Sequence, residues 1–442
     1  MKKNLTFLIT KDVFYRSYLS DKNYQSLAKD YTLSHIFLSN VLDPCCITHE
    51  RLSLKPWNLW IHKRLIDLSL MRYRRRSKTF VFRINRRLIP KKASIKTIRN
   101  ALKYILSYFY LILIYLLSSN KFSYYLIDIV LSFMFVADRK TEKQIITSCT
   151  DLFLLPTNGA HPAEWELERL LHKTNKAYIS LIDNWDNLSS KTVLRYRANH
   201  YCVWGNQSKI HGWEIQDLKF KSMSSIGTPR FETYRGSDSV SSPFNLKNYV
   251  LFVGTTVAFD EFKVLQHLNK IINRNNLNTT VVYRPHPWRE SNEFPSIDSL
   301  EHVVIDEQLK VQYETKSSNA SFQPALQYYK PLVLNSKFVI GGLTSMLIEA
   351  LLLKKKFVGL VHDDIDSKIN PKNMLRDYTH FREIPNLKNV ELVTDFNELE
   401  ATFLQLYSAH SYYEDDPFLQ YFITFDDESY WEKLLKVVEN HA

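Results

Sequence analysis

A chain of 442 residues is too long for one ordinary hydrophobic core, so two domains of about 150–220 residues each are expected. Hydrophobic residues make up 45% of the chain and aromatic residues 14%, a composition that excludes overall disorder. The net charge of +12 comes from residues 68–127, which hold fourteen Lys and Arg and no acid; the remainder sums to −2, so a basic surface over the whole protein is excluded.

The first predicted element is a strand in the apolar run LTFLIT, which ends at Lys11 and Asp12. This run is shorter than the apolar region of a signal peptide, so we expect a domain strand and no leader. A helix over DVFYRSYLSDKNYQSLAKDY and a strand over LSHIFLS follow. Residues 55–150 are then predicted as a helical insert that is first basic and later strongly apolar.

Strands and helices alternate again from residue 151. DLFLLPT, KAYISLI and HYCVWG are predicted strands, and HPAEWELERLLHKTN is a predicted helix. The polar residues 236–248 predict a linker. Beyond it we predict strands in YVLFVGT, TTVVYRPHP, HVVID, NSKFVIGG and KFVGLV, with helices in DEFKVLQHLNKIINRNN and SMLIEALLL and two closing helices after residue 395.

This alternation predicts an α/β fold of two Rossmann-like domains facing across a cleft, because short apolar strands separated by helices form parallel sheets. The expected boundaries are an N-terminal acceptor-side domain over 1–235, a linker over 236–248, a donor domain over 249–410 and a helical tail over 411–442. Ligands of such folds bind at the carboxyl ends of the strands.

The stretch GGLTSMLIEA joins a predicted strand to a predicted helix. We expect Gly341 and Gly342 to allow positive φ and a close ligand, and Thr344 and Ser345 to meet an anion at the start of the helix. Glu349 lies one turn further along the same face, where a carboxylate is able to bind a ribose. The alternative is an ordinary turn in which Ser or Thr caps a helix.

A second stretch, VVYRPHPW, ends a predicted strand in a turn that two prolines stiffen. Arg284 and His286 are then expected at the carboxyl end of that strand, where a guanidinium and an imidazole suit a phosphate or a departing diphosphate. The alternative is a solvent-facing loop.

Two stretches of the first half are predicted on the acceptor side. LIDNWDNLSSK places Asp183, Asp186, Asn187 and Lys191 after a buried strand, where Asp186 or Asp183 is the candidate general base and Lys191 is able to meet an anion. PTNGAHPAEWE contributes His161 and Glu164. The alternative is a cluster of Asx turns.

YRPHP followed by GGLTSMLIEALLLKKKFVGL resembles the paired motifs of bacterial GT-B surface-polysaccharide glycosyltransferases, including the sialyltransferase-like, capsule and CDP-glycerol glycerophosphotransferase groups. The resemblance covers roughly residues 150–380. It implies that His286, Thr344 and Ser345 contact the donor phosphate and that Glu349 contacts the ribose. This sequence has KKKFVG where relatives often have Gly and Pro, and it has no clear counterpart of the acidic motif that supplies the base in sialyltransferases.

The insert has a run of sixteen uncharged, tyrosine-rich residues, 104–119, beside its basic segment. This pattern is typical of a monotopic attachment to an anionic membrane surface. The alternative is a buried helix of the N-terminal domain with a solvated basic face. Nucleic-acid binding is not expected, because the segment lacks interleaved aromatic residues and RNA-module motifs.

The predicted function is therefore metal-independent transfer of a sugar from a nucleotide-activated donor to a glycan or lipid-linked acceptor, without a cofactor, in capsule or lipopolysaccharide assembly. Alternatives are a polyol-phosphate transferase, a nucleotide-sugar epimerase and a non-catalytic assembly factor at the membrane. The D-x-D pattern in HDDID is a weaker indication of a metal-dependent transferase. The four cysteines lack metal-binding spacing, which favours a reduced cytoplasm, and the charge pattern predicts a place on the inner face of the cytoplasmic membrane.

Overall fold

The structure is a computed structural model. It describes residues 2–20, 22–38, 50–52, 54–88, 97–136, 139–236, 246, 249–255, 259–286, 297–310, 325–364, 370–409 and 413–442. Most of the predicted linker, the residues after His286 in VVYRPHPW and the last two residues of HDDID lie outside these ranges.

The described chain forms two compact units. The first comprises Met1–Pro229, Asp377–His380 and Gln420–Ala442, and the second comprises Arg230–Arg376 and Phe381–Leu419. The division falls six residues before the end of the N-terminal domain expected from sequence. Residues 420–442 pack in the first unit and are not a separate tail, because Trp431 and Leu434 are buried in its core.

The first unit is built on a seven-stranded parallel sheet in the order β3-β2-β1-β4-β5-β6-β7. Its strands are β1 (Lys3–Ile9), β2 (Tyr31–Leu38), β3 (Glu50–Leu52), β4 (Leu152–Thr157), β5 (Tyr178–Ile182), β6 (His200–Val203) and β7 (Met223–Ser225). Every residue of β4 and β5 is buried, as expected for inner strands of a parallel sheet covered on both faces.

The helices of the first unit are α1 (Asp12–Tyr18), α2 (Pro56–Arg72), α3 (Lys78–Leu88), α4 (Ile98–Ser119), α5 (Lys121–Phe133), α6 (Arg139–Thr147), α7 (Pro162–Lys173), α8 (Asn187–Ser190) and α9 (Asn206–Glu214). The helix predicted over residues 12–31 is instead α1 followed by a 3₁₀ segment, Lys22–Lys29. The insert is α2–α6, and α2 packs through Ile61 and Leu65 in a cluster that includes Trp165 of α7.

The second unit has a six-stranded parallel sheet in the order β10-β9-β8-β11-β12-β13. Its strands are β8 (Tyr249–Val253), β9 (Val281–Arg284), β10 (Val303–Ile305), β11 (Ser336–Gly341), β12 (Phe357–Leu360) and β13 (Val390–Val393). The helices that follow α9 along the chain are α10 (Glu261–Arg274), α11 (Leu326–Leu334), α12 (Met346–Leu352), α13 (Met374–Asp377), α14 (Glu398–Ser408), α15 (Leu419–Phe422) and α16 (Tyr430–Glu439).

The two parallel sheets confirm the predicted pair of Rossmann-like domains. The sequence prediction missed β3, β7 and β13, which have three, three and four residues and lie at sheet edges. It also missed α9, which has little amphipathic pattern, and α11, which contains an internal proline, Pro331. Short edge strands and proline-containing helices carry weak periodic patterns, which explains these omissions.

Candidate functional site

The order of strands in the second sheet reverses between β8 and β11. Residues Val253 of β8 and Gly341 of β11 are aligned, and Val253 is also aligned with Arg284 of β9. Parallel α/β sheets bind ligands outside the carboxyl ends of the strands at such a switch point. The structure therefore brings the His286 turn and the Thr344–Ser345 turn to the two flanks of β8.

The paired glycines serve close packing within the protein. A Cβ on Gly341 would lie 2.3 Å from the carbonyl oxygen of Val253, and one on Gly342 would lie 2.5 Å from Cγ2 of Thr255. Neither glycine has a positive φ. The expectation that they supply positive φ was wrong, because β11 requires them for its close approach to β8 and the loop after it.

The hydroxyls after β11 differ in their bonding. Oγ1 of Thr344 accepts a hydrogen bond from the Met346 N–H at 3.1 Å, which caps α12. Ser345 occupies the N-cap position, but its side chain makes no capping hydrogen bond. Both residues are partly exposed. The Ser345 hydroxyl is thus available to a ligand beside the first N–H groups of α12.

A buried carboxylate holds the loop after β8. Oε1 of Glu261 accepts from the Thr255 N–H at 3.0 Å, and Oε2 accepts from the Tyr283 hydroxyl at 2.7 Å. The Gly254 N–H donates to the Arg284 carbonyl at 2.8 Å. These bonds tie the ends of β8 and β9 together and place the partly exposed His286 at the same edge.

Arg284 is engaged inside the second unit. Its guanidinium is buried, forms an ion pair with Asp306, donates to Gln308 at 3.2 Å and lies 4.6 Å from the ring of Tyr329. Burial alone would lower the pKa of Arg284, but Tyr329 and Asp306 raise it. Asp306 already balances the charge of Arg284. In this structure Arg284 therefore holds the end of β9, which differs from the predicted phosphate contact.

Glu349 is also engaged by its own unit. Its Oε2 accepts from the Tyr234 hydroxyl at 2.5 Å, and its Oε1 lies 3.1 Å from Nη2 of Arg230. Its side chain is only 6% exposed. Sequence analysis missed both partners, which lie in the stretch TPRFETY, residues 228–234. In this fold Glu349 fastens residues 230–234 to α12.

The acidic HDDID stretch supports loops of the second unit. Asp363 accepts from the Asn370 side chain and lies 3.4 Å from Nζ of Lys372, and Oδ2 of Asp364 accepts from the Asp260 N–H at 3.1 Å. Among the described residues, no group of three or more His, Cys, Asp or Glu side chains is placed to hold a metal ion.

In the first sheet the order reverses between β1 and β4. Glu164 lies fully buried beside this point, with Nζ of Lys11 at 2.7 Å from its Oε1. Its Oε2 accepts from the Thr157 hydroxyl at 2.7 Å and from the Gly159 N–H at 3.0 Å. Glu164 therefore clamps the loop after β4, as Glu261 clamps the loop after β8, and is not exposed to an acceptor.

His161 caps α7 at the same point. Its Nδ1 accepts from the Ala163 N–H at 3.2 Å. Burial and the nearby Lys11 lower the pKa of His161, and Glu164 partly opposes them. A neutral imidazole whose Nδ1 is occupied by the helix has only Nε2 to offer to a ligand.

Asp186 lies buried at the start of α8, after β5. Its Oδ2 accepts from the Ser190 hydroxyl at 2.5 Å and lies 3.3 Å from Nζ of Lys191. Burial alone would raise the pKa of Asp186, but Lys191, His380 and the Ser190 hydrogen bond lower it to about 2. Asp186 is therefore ionised at neutral pH.

Two neighbours of Asp186 are also buried. Reorienting the Asn187 amide lets its NH₂ donate to Oδ1 of Asp186 at 3.1 Å. The backbone of Asp183 ties β5 to its neighbours: its N–H donates to the Thr157 carbonyl at 2.9 Å, and its carbonyl accepts from Nε1 of Trp204 at 3.0 Å. The LIDNWDNLSSK residues thus lie together after the carboxyl end of β5.

His380 was missed by sequence analysis. It reaches the first unit on residues 377–380, where the Thr379 N–H donates to Thr79 at 3.0 Å, and its ring lies 5.4 Å from that of Trp185. Burial lowers the pKa of His380 to about 4, although Asp186 raises it. A single histidine in DYTHF carries no pattern, so only the fold reveals it.

No family model matches the chain, and no curated protein matches it either. Solved structures match over nearly its full length. UDP-GlcNAc 2-epimerase from Methanocaldococcus jannaschii is 10% identical with a TM-score of 0.51, covering 99% of both chains. S. aureus MnaA, solved with UDP, is 9% identical with a TM-score of 0.51, covering 100% of this chain and 96% of its own.

The chain has the GT-B fold. A variant of the wall teichoic acid polymerase TagF is a further match, 13% identical with a TM-score of 0.50, covering 99% of this chain and 88% of its own. The GT-B architecture predicted from the sequence is thereby confirmed. At this level of identity the likeness establishes the fold alone. The chemistry depends on the residues that follow the carboxyl ends of the strands in the two sheets.

Proposed function

We propose that this protein is a metal-independent glycosyltransferase that moves a sugar from a nucleotide-activated donor to a surface-glycan acceptor. The positions of two turns support this proposal. The His286 turn and the Thr344–Ser345 turn lie on the two flanks of β8, at the switch point of the second sheet. A free hydroxyl, an imidazole and the first N–H groups of α12 suit a phosphate. The match to MnaA, a protein of this fold solved with UDP, favours a nucleotide ligand.

The residues divide into direct and supporting roles. His286, Thr344 and Ser345 contact the donor phosphate and stabilise the charge that develops on it as the sugar leaves. Arg284, Glu261 and Glu349 hold the loops of that edge. In the first unit Asp186 receives the proton of the acceptor hydroxyl, and Lys191 balances the charge of Asp186.

The test is a thermal-shift screen of the whole protein against CMP, CDP, UDP and GDP. A nucleotide present at 100 times its dissociation constant stabilises the folded state by about 2.7 kcal/mol. His286→Ala and Ser345→Ala should each weaken binding of the stabilising nucleotide about 10-fold to 150-fold, because a hydrogen bond to a charged group is worth about 1.5–3 kcal/mol. Unchanged affinity in both variants would refute the phosphate assignment.

Ser429→Ala is the matched control. Ser429 caps α16 in a capping box with Glu432 in the first unit. Its removal should cost about 1 kcal/mol of stability and leave nucleotide affinity unchanged. Ser345→Ala should leave stability unchanged and weaken nucleotide binding, since the Ser345 side chain makes no capping bond.

Turnover of the identified donor then separates the alternatives. Transfer of the sugar to a glycan or lipid-linked acceptor supports a glycosyltransferase. Consumption of the donor without any acceptor indicates an epimerase, and transfer of a polyol phosphate from a CDP-linked donor indicates the polyol-phosphate reaction. Nucleotide binding without turnover indicates a non-catalytic assembly factor.

A further inference from the structure

The two central helices of the insert expose their apolar faces. On α4 the most exposed apolar residues recur at helical spacing and are Ile98, Leu102, Ile105, Leu106, Phe109, Ile112, Leu113 and Leu116. On α5 they are Phe122, Tyr125, Leu126, Ile129, Val130 and Phe133. Each of these fourteen side chains is at least 48% exposed. We call them the hairpin face.

The inward faces of the same helices carry polar contacts to the rest of the first unit. On α4, the Tyr110 hydroxyl donates to Asp67 of α2 at 3.3 Å. On α5, Asp128 forms an ion pair with Arg195, whose Nη2 also donates to Ser132 at 2.9 Å. Ile114 of α4 and Tyr124 of α5 also pack inward, in the apolar cluster formed with α2. A surface helix of a protein in water normally exposes a polar face, whereas these helices are apolar on both faces.

The hairpin face is large for a protein in water. The largest apolar patch on a typical monomer covers about 300–600 Å² and consists of a few side chains. Among the described residues, α4 is the one helix that is long and apolar enough to cross a membrane, and only 11% of its most apolar window is buried. The alternative from sequence, a buried helix of the domain core, is therefore wrong for α4.

Positive charge surrounds the hairpin face. Arg99, Lys103 and Lys121 are exposed on the hairpin itself. Arg72 donates to the carbonyls of Ser118 and Ser119 at the end of α4, both at 3.1 Å. The one acid within α4 and α5 is Asp128, which Arg195 neutralises. An apolar face with a cationic rim complements an anionic lipid surface.

Aromatic side chains lie at one end of the hairpin. Trp57 and Trp60 stack with ring centroids 5.1 Å apart, and each is more than 40% exposed. Nε1 of Trp57 donates to the carbonyl of Met134, next to the end of α5, at 3.0 Å. Exposed tryptophans beside an apolar surface are typical of the headgroup level of a bilayer.

The inward contacts also decide how the hairpin meets lipid. If α4 crossed the bilayer, about 30 Å of hydrocarbon would surround it on all sides. The hydrogen bond from Tyr110 to Asp67 of α2 would then be broken. At 13 residues α5 is about 20 Å long and too short to cross. Only one side of each helix is open to lipid.

We infer that the hairpin face docks α4 and α5 side by side, in the plane of the membrane, on an anionic bilayer. The chain then lies peripherally on such a surface, as expected for the inner face of the cytoplasmic membrane. This inference uses none of the residues assigned to transfer and does not depend on that activity.

Vesicle flotation of the whole protein tests the docking. The wild type should float with equimolar phosphatidylglycerol and phosphatidylcholine vesicles at low salt. Flotation should fall but persist at 1 M salt, where the Debye length shrinks from about 10 Å at 0.1 M to about 3 Å. Arg99→Gln, Lys103→Gln and Lys121→Gln together should weaken the salt-sensitive part.

The decisive variant combines Leu106→Gln, Phe109→Gln and Leu113→Gln, which are exposed and should leave folding intact by circular dichroism. Its vesicle binding should fall about tenfold or more. The matched control is Trp213→Gln with Phe220→Gln, two exposed apolar residues of the first unit outside the hairpin, which should float like the wild type. Failure of the wild type to float, or normal flotation of the triple variant, would overturn the docking. The docking would also be overturned if the wild type formed a dimer and bound no vesicles, while the triple variant was a monomer.

Depth measurements test the in-plane orientation. Spin labels on Leu102→Cys and Leu116→Cys, with the four native cysteines replaced by alanine, should report the same depth in the bilayer. A spanning α4 would separate the two labels by about 21 Å, since they are fourteen residues apart. Such a separation would overturn the in-plane geometry.

Discussion

The hydroxyl of Tyr234 donates a 2.5 Å hydrogen bond to Oε2 of Glu349, a residue 115 positions further along the chain. Burial and Glu349 raise the pKa of Tyr234 well above its usual value, so the phenol stays protonated and remains the donor. The glutamate that sequence analysis assigned to a ribose thus joins two segments of the second unit.

Tyr234→Phe should lower the free energy of unfolding by about 1.5–3 kcal/mol, the worth of a hydrogen bond to a charged group. Combined with Glu349→Gln in a double-mutant cycle, it should show a coupling energy of similar size. Urea denaturation measures both. Tyr413→Phe is the control, since no hydrogen bond of the Tyr413 hydroxyl occurs within the described ranges. A coupling energy near zero would show that Glu349 and Tyr234 do not support each other.

Asp306→Asn should destabilise the second unit by about 3–5 kcal/mol, because it leaves the buried Arg284 guanidinium without its counter-charge. Arg284→Lys should also lose stability, since a lysine cannot reproduce the guanidinium contacts to Asp306 and Gln308. Denaturation and nucleotide titration of both variants provide the measurement. If Arg284→Lys kept wild-type stability and lost nucleotide affinity, Arg284 would be a phosphate ligand, as the sequence first indicated.

Asp186→Asn should abolish transfer while donor affinity stays within about twofold, because general-base catalysis contributes about 10²–10⁴ in rate. With the pKa of Asp186 at about 2, the carboxylate is ionised throughout pH 4–8, so its own titration should not change the rate in that range. Transfer of labelled donor measures the rate. Ser190→Ala should raise the pKa of Asp186 by removing a hydrogen bond to the carboxylate. Wild-type transfer by Asp186→Asn would move the role to Asp183, His161 or His380.

His380→Gln should reduce the dependence of stability on pH. The pKa of His380 is about 4 in the fold against an ordinary 6.5, so the unfolded chain binds the proton more readily. The resulting stability is present above pH 6.5 and is lost as the pH falls through about 4, on the order of 3 kcal/mol in all. Urea unfolding at pH 7 and pH 5 should show a smaller difference for the variant than for the wild type. Burial also lowers the pKa of His200 to about 4, so some dependence should remain. If the free energy of unfolding changed equally with pH in the variant and the wild type, this assignment would be contradicted.

Local patterns predicted the placement of the main motifs. Apolar strands such as DLFLLPT and YVLFVGT are buried in parallel sheets, and polar residues that follow them lie at the carboxyl ends. His286 and Ser345 were assigned to one edge from sequence, and β9 and β11 bring them there on the two sides of β8. This succeeded because a parallel sheet places the carboxyl ends of its strands along one edge.

The partners of the motif residues were not predictable in the same way. Asp306, Tyr234 and His380 lie 22, 115 and 194 positions from the groups that they influence, Arg284, Glu349 and Asp186. Each is an isolated polar residue with no periodic pattern around it. Whether a carboxylate or guanidinium faces a ligand or its own fold depends on such distant contacts.

The sequence by itself determined the two parallel α/β units, the strand-end position of the candidate residues and the presence of one basic, apolar insert, because each follows from patterns within a few turns of chain. Only the tertiary structure decided that Gly341 packs against Val253, that Glu164 and Arg284 are buried in internal polar contacts and that α4 shows its apolar side outward. The physical reason is that burial and charge balance are set by neighbours remote in sequence, and only the folded chain brings those neighbours together.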